Sequence, residues 1–466
     1  MTSFVGRDEE LGCLEEWYED SGDRAVLLVH GGGGQGKTRL VWHFAETIRG
    51  KRGEQVLVLE ARSVTRATVR RPAGDEGRGD EEGAVPSEVL LVVDEADLWP
   101  TGKLEHFFDF DHGDFRWSKD VRVRVLLTAR SAGTWWRGMC GELGRRGINC
   151  RSLELKPLGP AGARELAQAA YRDLAQRMEG PAGEALSPDA VNRLVGAPAV
   201  SVELMALGSL LVADPEQAPA EVRDAVKLLL EQEMRYWAGM YGKGEADAGE
   251  DPYRIHLNQV FMARVVYVAT LAGPLGHDVS QQMLERAGVG CQVGTQQAVV
   301  DHARCYPPPD LDHCLAPLAA CVAEEFLGMF VPGGSEEMFI PADGWAAGAP
   351  FHMLGLLSPE EREAEEHNRQ TSWEAGEEVL AAQQPYSKEH TFGLVRDTPA
   401  VLRLVRAAAV WPHLADRQLY PLARRYPKAV VMAGHAALSE LREIDPAPPK
   451  DVLELLDRVA KECGHR

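Results

Sequence analysis

The chain has 466 residues, of which 45% are hydrophobic and 26% charged, a composition typical of a globular protein with about two to four domains. Its formal net charge of −21 argues against non-specific binding to DNA or RNA, which depends on Lys and Arg neutralising phosphates. The longest apolar runs fall short of the roughly 20 residues that a membrane helix needs, and the N-terminus MTSFVGRDEEL lacks the features of a signal peptide, so we expect a soluble, cytoplasmic protein.

The first third of the chain alternates apolar runs with amphipathic segments. RAVLLVH predicts a strand that is buried on both faces of a parallel sheet, and KTRLVWHFAETIRG predicts a helix that stops at Gly50. Further strands are predicted at QVLVLE, EVLLVVDEAD, VRVRVLLTAR and CRSLEL. This alternation predicts a nucleotide-binding α/β domain, which the polar segment Arg62–Ser87 interrupts as a mobile insertion.

From about Pro157 the pattern becomes helical. Ser187 and Pro188 predict an N-cap and a first helical residue, and helical spacing continues through SVELMALGSLLV and EVRDAVKLLLEQEMRYW. After a linker at Gly242–Pro252, short helices and an extended MFIPAD segment predict a small helical domain with a wing, and the chain from about Ser358 is helical again. We therefore expect four domains, with bounds 1–156, 157–241, 252–345 and 350–466.

Eight cysteines are too few for a disulfide framework and fit reduced thiols. The tightest cluster of metal-ligating residue types is His302, Cys305, His313 and Cys314. A zinc site is one interpretation, but the spacing matches no familiar ligand pattern. We favour ordinary buried thiols and a surface histidine.

The segment GGGGQGKT follows the first predicted strand and opens the first long helix after it. Glycines let successive backbone N–H groups turn towards phosphate oxygens, and the following helix offers its positive end. In this pattern Lys37 reaches the β- and γ-phosphates, and Thr38 binds Mg²⁺ through its hydroxyl. The predicted nucleotide-contacting loop consists of Gly32, Gly33, Gly34, Gln35, Gly36, Lys37, Thr38 and Arg39.

Two later strand ends carry polar residues that complete such a site. LLVVDEAD ends in Asp94, which we expect to hold Mg²⁺, and Glu95, a candidate general base; the alternative is a simple strand cap. VLLTARSAGTWW places Thr128 or Arg130 where a side chain can sense the γ-phosphate, and Arg130 is favoured because a guanidinium can fork onto phosphate oxygens. The alternative for Arg130 is a surface arginine. The adjoining tryptophans are expected to pack the domain.

The ordered motifs FVGRDEEL, GGGGQGKTRL, LLVVDEAD, LLTARSA, LKPLGPAGARELA and LVGAPAVSVELMA resemble those of the signal-transduction NTPases. This is the STAND class within the AAA+ group, whose NB-ARC-like members are nucleotide-binding switches. Later stretches resemble actinobacterial ATP-binding proteins that commonly continue into tetratricopeptide repeats. The resemblance implies an α/β P-loop NTPase fold, followed by a helical lid, a winged-helix-like domain and an α-helical C-terminal domain.

The same resemblance implies several residue roles. Val5 and Arg7 lie in the motif that contacts the base, Pro198 corresponds to the lid proline that closes on the nucleotide, and Arg130 corresponds to the sensor arginine. In this class, bound ADP holds the molecule closed, and exchange for ATP lets the domains open and assemble. Many switch members have a second aspartate where this chain has Glu95. We therefore expect ATP hydrolysis more in this chain than in those members.

The resulting prediction is an ATP-binding regulatory switch with ATP or ADP and Mg²⁺ as cofactors and slow Mg²⁺-dependent hydrolysis. Its expected partners are nucleotide and either another protein or further copies of the chain on activation, with no membrane. The first alternative is an active AAA+ motor or remodelling factor, which Glu95 favours. The second is a DNA-binding regulator that uses a winged helix within Val260–Asp343, and the acidic composition disfavours it.

Overall fold

The structure is a computed structural model that divides the chain into two compact units, Met1–Leu229 and Leu230–Arg466. It describes residues 3–20, 22–62, 68–70, 87–99, 104, 107–108, 121–178, 186–212, 218–241, 254–290, 293–308, 313–334, 342–354 and 399–463.

A six-stranded sheet in the order β3-β2-β4-β5-β1-β6 forms the centre of the first unit. Its strands are β1 (Arg24–His30), β2 (Val56–Arg62), β3 (Thr68–Arg70), β4 (Glu88–Val93), β5 (Arg122–Ala129) and β6 (Asn149–Glu154). All neighbouring strands run parallel except β2 and β3, which are antiparallel. Because β5 lies between β1 and β4, the segments that follow these three strands meet at one edge of the sheet.

Helices surround this sheet and continue beyond its last strand. They are α1 (Asp8–Glu19), α2 (Lys37–Arg52), α3 (Thr134–Arg145), α4 (Pro160–Arg177), α5 (Pro188–Arg193), α6 (Ala199–Leu211) and α7 (Val222–Met240). The boundary between the two units falls within α7.

The central strands β1, β4 and β5 are buried on both faces of the sheet, which is why they contain continuous apolar runs in the sequence. In β1, Val26 and Leu28 join a cluster with Trp136 of α3, while Leu27 joins a cluster with Phe44 of α2 on the opposite face. Successive side chains of a strand point to opposite faces, so one strand serves both clusters.

The helices α4 to α6 share a third apolar cluster that includes Leu166, Val202 and Met205. Ser187 caps α5 by accepting a hydrogen bond from the backbone N–H of Ala190 at 3.2 Å, and Pro188 occupies the first helical turn. The predicted capping arrangement is therefore confirmed.

The second unit is helical throughout the part that the structure describes, with only two isolated bridges, Tyr241 with Ile255 and Leu275 with Leu315. Its helices are α8 (Gln259–Ala272), α9 (His277–Arg286), α10 (Gly294–Cys305), α11 (Ala320–Phe330), α12 (Gly344–Met353), α13 (Ala400–Val410), α14 (Pro412–Leu414), α15 (Tyr420–Arg425), α16 (Pro427–Met432), α17 (His435–Arg442) and α18 (Lys450–Glu462), with a π-helical turn at Ala415–Leu419 between α14 and α15.

One predicted helix end is wrong. The helix α2 continues through Gly50 to Arg52 and ends at Gly53, whose positive φ of 59° glycine adopts readily. The last turn is also held by ion pairs to α1, Lys51 with Glu15 at 2.7 Å and Arg52 with Glu19 at 2.5 Å. Those pairs need the helix to extend past Gly50.

Several predicted segments lie partly or wholly outside the residues that the structure describes. Three residues of the predicted insertion form β3 and extend the sheet beside β2, and residues 63–67 and 71–86 lie outside the described residues. The linker Gly242–Pro252, residues 338–341 of the extended segment and residues 355–398 also lie outside them. The winged-helix-like domain and the four domain bounds therefore stay predictions.

The possible zinc cluster does not form among the described residues, where no group of three or more His, Cys, Asp or Glu is placed to hold a metal ion. His302 is fully buried beside Tyr306, with 5.0 Å between ring centroids, and His313 is also buried. The expected surface histidine is therefore wrong, since both rings are buried. Among the helices that the structure places, none has the length and apolar character needed to cross a membrane.

Candidate nucleotide-binding site

The glycine-rich loop between β1 and α2 needs glycine for conformation and for space. Gly34 and Gly36 have φ values of 74° and 86°, in the left-handed region that side chains disfavour. A Cβ atom added to Gly31 would lie 2.5 Å from the carbonyl oxygen of Leu155, and one added to Gly34 would lie 2.2 Å from Cγ1 of Val200. The loop is thus pressed between the chain after β6 and the first turn of α6.

The side chain of Lys37 folds back onto this loop. Its Nζ donates hydrogen bonds to the carbonyl oxygens of Gly31 and Gly32, both at 2.8 Å. This places a positive charge beside the glycines at the start of α2, where the helix dipole adds to it. The arrangement is suited to an anion that carries several negative oxygens.

Asp94, directly after β4, is bound by two hydroxyl groups. Thr38 Oγ1 lies 3.0 Å from both carboxylate oxygens, and the hydroxyl of Thr128 donates to Oδ1. The indole of Trp99 donates to the backbone carbonyl of Asp94 at 3.1 Å. Burial raises the pKa of the Asp94 carboxyl, and the hydrogen bonds from Thr128 and Thr38 oppose that rise.

The Thr38 hydroxyl and the Asp94 carboxylate meet the chemical requirement for a magnesium site. Thr38 and Asp94 bring a hydroxyl and a carboxylate within 3.0 Å of each other, and Mg²⁺ prefers oxygen ligands, usually one or two from protein. The residues therefore fit the cation that the sequence predicts.

Glu95 has the only positive φ, 49°, among the non-glycine residues that the structure describes. Its side chain is exposed, and its backbone N–H donates to Thr128 Oγ1 at 2.9 Å. The hydroxyl of Thr128 thus links the Asp94 carboxylate to the Glu95 backbone. A left-handed residue other than glycine costs about 1 kcal/mol or more and is held by its surroundings, a pattern that concentrates at functional sites.

Arg130, directly after β5, lies against the same loop. Its backbone N–H donates to Asp97 Oδ2 at 3.0 Å, and its guanidinium carbon lies 3.3 Å from the position of a Cβ added to Gly33. Thr128 and Arg130 thus both lie at the predicted edge, with different contacts. The sequence pattern favours Arg130 as the sensor and does not indicate the hydroxyl link through Thr128. The signal for it was a small polar residue directly after the apolar run VLL near the end of β5.

The remaining predicted residues lie around this edge. Val5 packs against the apolar cluster of α4 to α6, and Pro198 precedes α6, with its Cβ 3.3 Å from the added Cβ of Gly34. Arg39 pairs with Glu203 of α6 at 2.5 Å and donates to the Ser3 carbonyl at 2.7 Å. The buried Arg7 contacts the loop at the Gln35 carbonyl.

A parallel α/β sheet, a glycine-rich loop that continues into Lys37 and Thr38, and an aspartate after β4 that meets this threonine define a P-loop NTPase core. No family model matches the chain, and no curated protein matches its sequence.

The chain shows partial similarity to several solved structures. Domain III of the replication initiation protein DnaA from Thermotoga maritima is 14% identical to this chain, with a TM-score of 0.32. The match covers 49% of this chain and 93% of the DnaA chain. The Walker-type ATPase PABY2304 of Pyrococcus abyssi is 11% identical, with coverages of 69% and 96% and a TM-score of 0.34. The ORC2 protein of Aeropyrum pernix is 16% identical, with coverages of 62% and 82% and a TM-score of 0.31. The fold class rests on the sheet and loop of this chain.

Proposed function

We propose that the first unit binds ATP and ADP with Mg²⁺ and that the bound nucleotide sets the position of the helices α4 to α6, as in a regulatory switch. The observation that carries this proposal is a contact between α6 and the loop. The backbone N–H of Val200 donates to the Gly34 carbonyl at 2.9 Å, and Glu203 of the same helix pairs with Arg39 just after the loop. Any ligand that alters the loop therefore acts directly on α6.

The residues at the sheet edge have separate tasks in this proposal. The loop amides and Lys37 bind the phosphates, Thr38 and Asp94 hold Mg²⁺, and Arg130 senses the γ-phosphate. When bound, Mg²⁺ neutralises charge on the β- and γ-phosphates. Val5 contacts the base, and Pro198 closes over the nucleotide.

The STAND-type role gains support from the polar contacts that join α6 to the loop and to Arg39. The hydrogen bond from Val200 and the partly exposed ion pair between Arg39 and Glu203 contribute about 1–2 kcal/mol to holding α6 against the loop. A nucleotide that binds more tightly to one position of α6 than to another can outweigh this contribution. On activation we propose assembly with further copies of the chain or with another protein.

A working AAA+ motor is the second candidate, and the exposed side chain of Glu95 beside Asp94 favours it. The carboxylate of Glu95 is proposed as the general base that takes a proton from the attacking water. A DNA-binding regulator stays a prediction from the sequence alone.

Lys37→Ala tests the nucleotide site. We expect binding of MgATP and MgADP to fall by at least about 100-fold, measured by calorimetry, because the principal positive charge on the phosphates is lost. Lys51→Ala is the matched control, since Lys51 lies on the same helix and pairs with Glu15 away from the loop. Equal affinity of Lys37→Ala and the parent would overturn the proposal.

Glu95→Gln separates the switch from the motor. For a motor, the parent turns ATP over rapidly in a constant oligomer, and the variant loses about 100-fold of that turnover. For a switch, turnover of the parent is slow, and the mass measured by light scattering is larger in ATP than in ADP. Rapid turnover with the same mass in both nucleotides would exclude the switch.

A further inference from the structure

Two consecutive peptide groups of the phosphate loop are held from outside the loop. The Gly34 carbonyl accepts a hydrogen bond from the Val200 backbone N–H at 2.9 Å. The Gln35 carbonyl accepts one from Nη2 of Arg7 at 3.2 Å. The donors come from the first turn of α6 and from the residue that precedes α1.

The direction of these carbonyls fixes the direction of the neighbouring amides. In a planar trans peptide the C=O and the following N–H point in opposite directions. Holding the Gly34 and Gln35 carbonyls outwards therefore aims the N–H groups of Gln35 and Gly36 at the other side of the loop. Inward-pointing amides are the groups with which such a loop binds phosphate.

Arg7 is well placed to act as a fixed support. It is 7% exposed, and its Nη1 donates to the Lys156 carbonyl at 2.8 Å and to Glu10 Oε1 at 2.7 Å. Lys156 follows the edge strand β6, so one planar guanidinium joins the loop to the chain after that strand. The Glu10 carboxylate balances its charge and orients it.

We propose that Arg7 is a positioning residue for phosphate binding, which acts on the nucleotide through the Gln35 peptide and does not read the base. This inference rests on the proposed function. It assigns Arg7 a role different from the base contact that the family resemblance implies, because both terminal nitrogens of the guanidinium are already engaged by Glu10, Lys156 and Gln35.

A base-free ligand distinguishes the two roles. Arg7→Met and Arg7→Lys are compared with the parent for binding of MgATP, MgGTP and magnesium tripolyphosphate by calorimetry. We expect Arg7→Met to weaken all three by the same factor, about tenfold (~1.4 kcal/mol), with an unchanged ratio of ATP to GTP affinity. Arg7→Lys is expected to lie between Arg7→Met and the parent, since an ammonium can reach a carbonyl but lacks the fork.

Arg52→Met is the matched control, because Arg52 also pairs with a glutamate of α1 but does not contact the loop. Thermal unfolding of each variant is measured alongside. If Arg7→Met does not fold, Val200→Pro provides the second route. It removes the N–H that holds the Gly34 carbonyl within a first helical turn, where proline is tolerated, and we expect the same uniform loss.

The outcomes are distinct. Unchanged tripolyphosphate affinity in folded Arg7 and Val200 variants overturns the inference. If Arg7→Met weakens the binding of ATP and GTP alone, or changes the ratio of their affinities, Arg7 contacts the base instead. A parent protein that binds none of the three ligands contradicts the proposed function itself.

Discussion

The candidate site of the first unit and a charge pair of the second unit satisfy their charged groups in different ways. In the second unit, Arg406 donates from Nε and Nη2 to the two carboxylate oxygens of Glu440, both at 2.9 Å. Arg264 donates to Asp343 at 2.6 and 3.3 Å, so each of these two arginines meets an opposite charge. At the sheet edge of the first unit, Asp94 accepts hydrogen bonds from hydroxyls, and burial raises its pKa. Removing one partner of a buried charge pair destabilises a fold, whereas a carboxylate that burial disfavours is typical of a ligand site.

The largest effect is expected at the charge pair of the second unit. Arg406→Ala leaves Glu440 without its buried partner, since the Arg406 side chain is 4% exposed. We expect the free energy of unfolding to fall by about 3 kcal/mol, measured by urea denaturation, with nucleotide affinity unchanged. The double variant Arg406→Met/Glu440→Leu replaces the pair by apolar groups and should recover most of that loss. A single variant as stable as the parent would show that the pair does not stabilise this unit.

A smaller, pH-dependent effect is expected at His302, also in the second unit. Neither ring nitrogen has a hydrogen-bond partner in the described part of the chain, and burial lowers the pKa of this histidine to about 3. The unfolded chain, with a pKa near 6.5, binds the proton first, so stability is fully present above about pH 6.5 and is lost as the pH falls towards 3. At about pH 5 the loss attributable to this group is about 2 kcal/mol.

His302→Phe tests this dependence because it retains a ring and removes the titrating nitrogens. Urea unfolding at about pH 7 and about pH 5 should show a smaller stability difference in the variant than in the parent, by the same ~2 kcal/mol. Because the other histidines are common to both proteins, the comparison isolates His302. An identical pH dependence in the two proteins would mean that the pKa of His302 is the same in the folded and unfolded chains.

The contrast also explains which features could be predicted from the sequence. The strands β1, β4 and β5 could be predicted because a sheet buried on both faces needs continuous apolar runs, and such runs are local. The loop, Lys37 and Asp94 could be predicted because phosphate and Mg²⁺ binding restricts residue type at each position.

Long-range side-chain contacts could not be predicted. Arg7 donates hydrogen bonds to the carbonyl oxygens of Gln35 and Lys156, which lie 28 and 149 residues away in the sequence. The residues next to Arg7 in the sequence do not indicate these partners. At the end of β5, Thr128 and Arg130 both reach the predicted edge, and nothing in the sequence indicates that the Thr128 hydroxyl contacts Asp94. Gly50 and Gly53 were equally able to end α2, and packing of its last turn on α1 decided between them.

The smallest expected effect concerns the ion pair between Arg39 and Glu203, which joins α2 to α6. The two side chains are 26% and 28% exposed, so solvent screens the pair, and it contributes about 0.5–1 kcal/mol. If this pair helps to hold α6 over bound nucleotide, Glu203→Gln should release a fluorescent ADP analogue about threefold faster in a stopped-flow experiment.

Glu19→Gln is the matched control for this release measurement, because Glu19 pairs with Arg52 of the same helix at the same 2.5 Å but lies on α1. Both variants lose one partly exposed ion pair of α2, so a general loosening of the helix would accelerate release equally in the two. Acceleration in Glu203→Gln alone assigns the effect to α6 and makes the ion pair part of the switch. Equal rates in Glu203→Gln, Glu19→Gln and the parent would leave the Val200 hydrogen bond as the contact through which α6 responds to the loop.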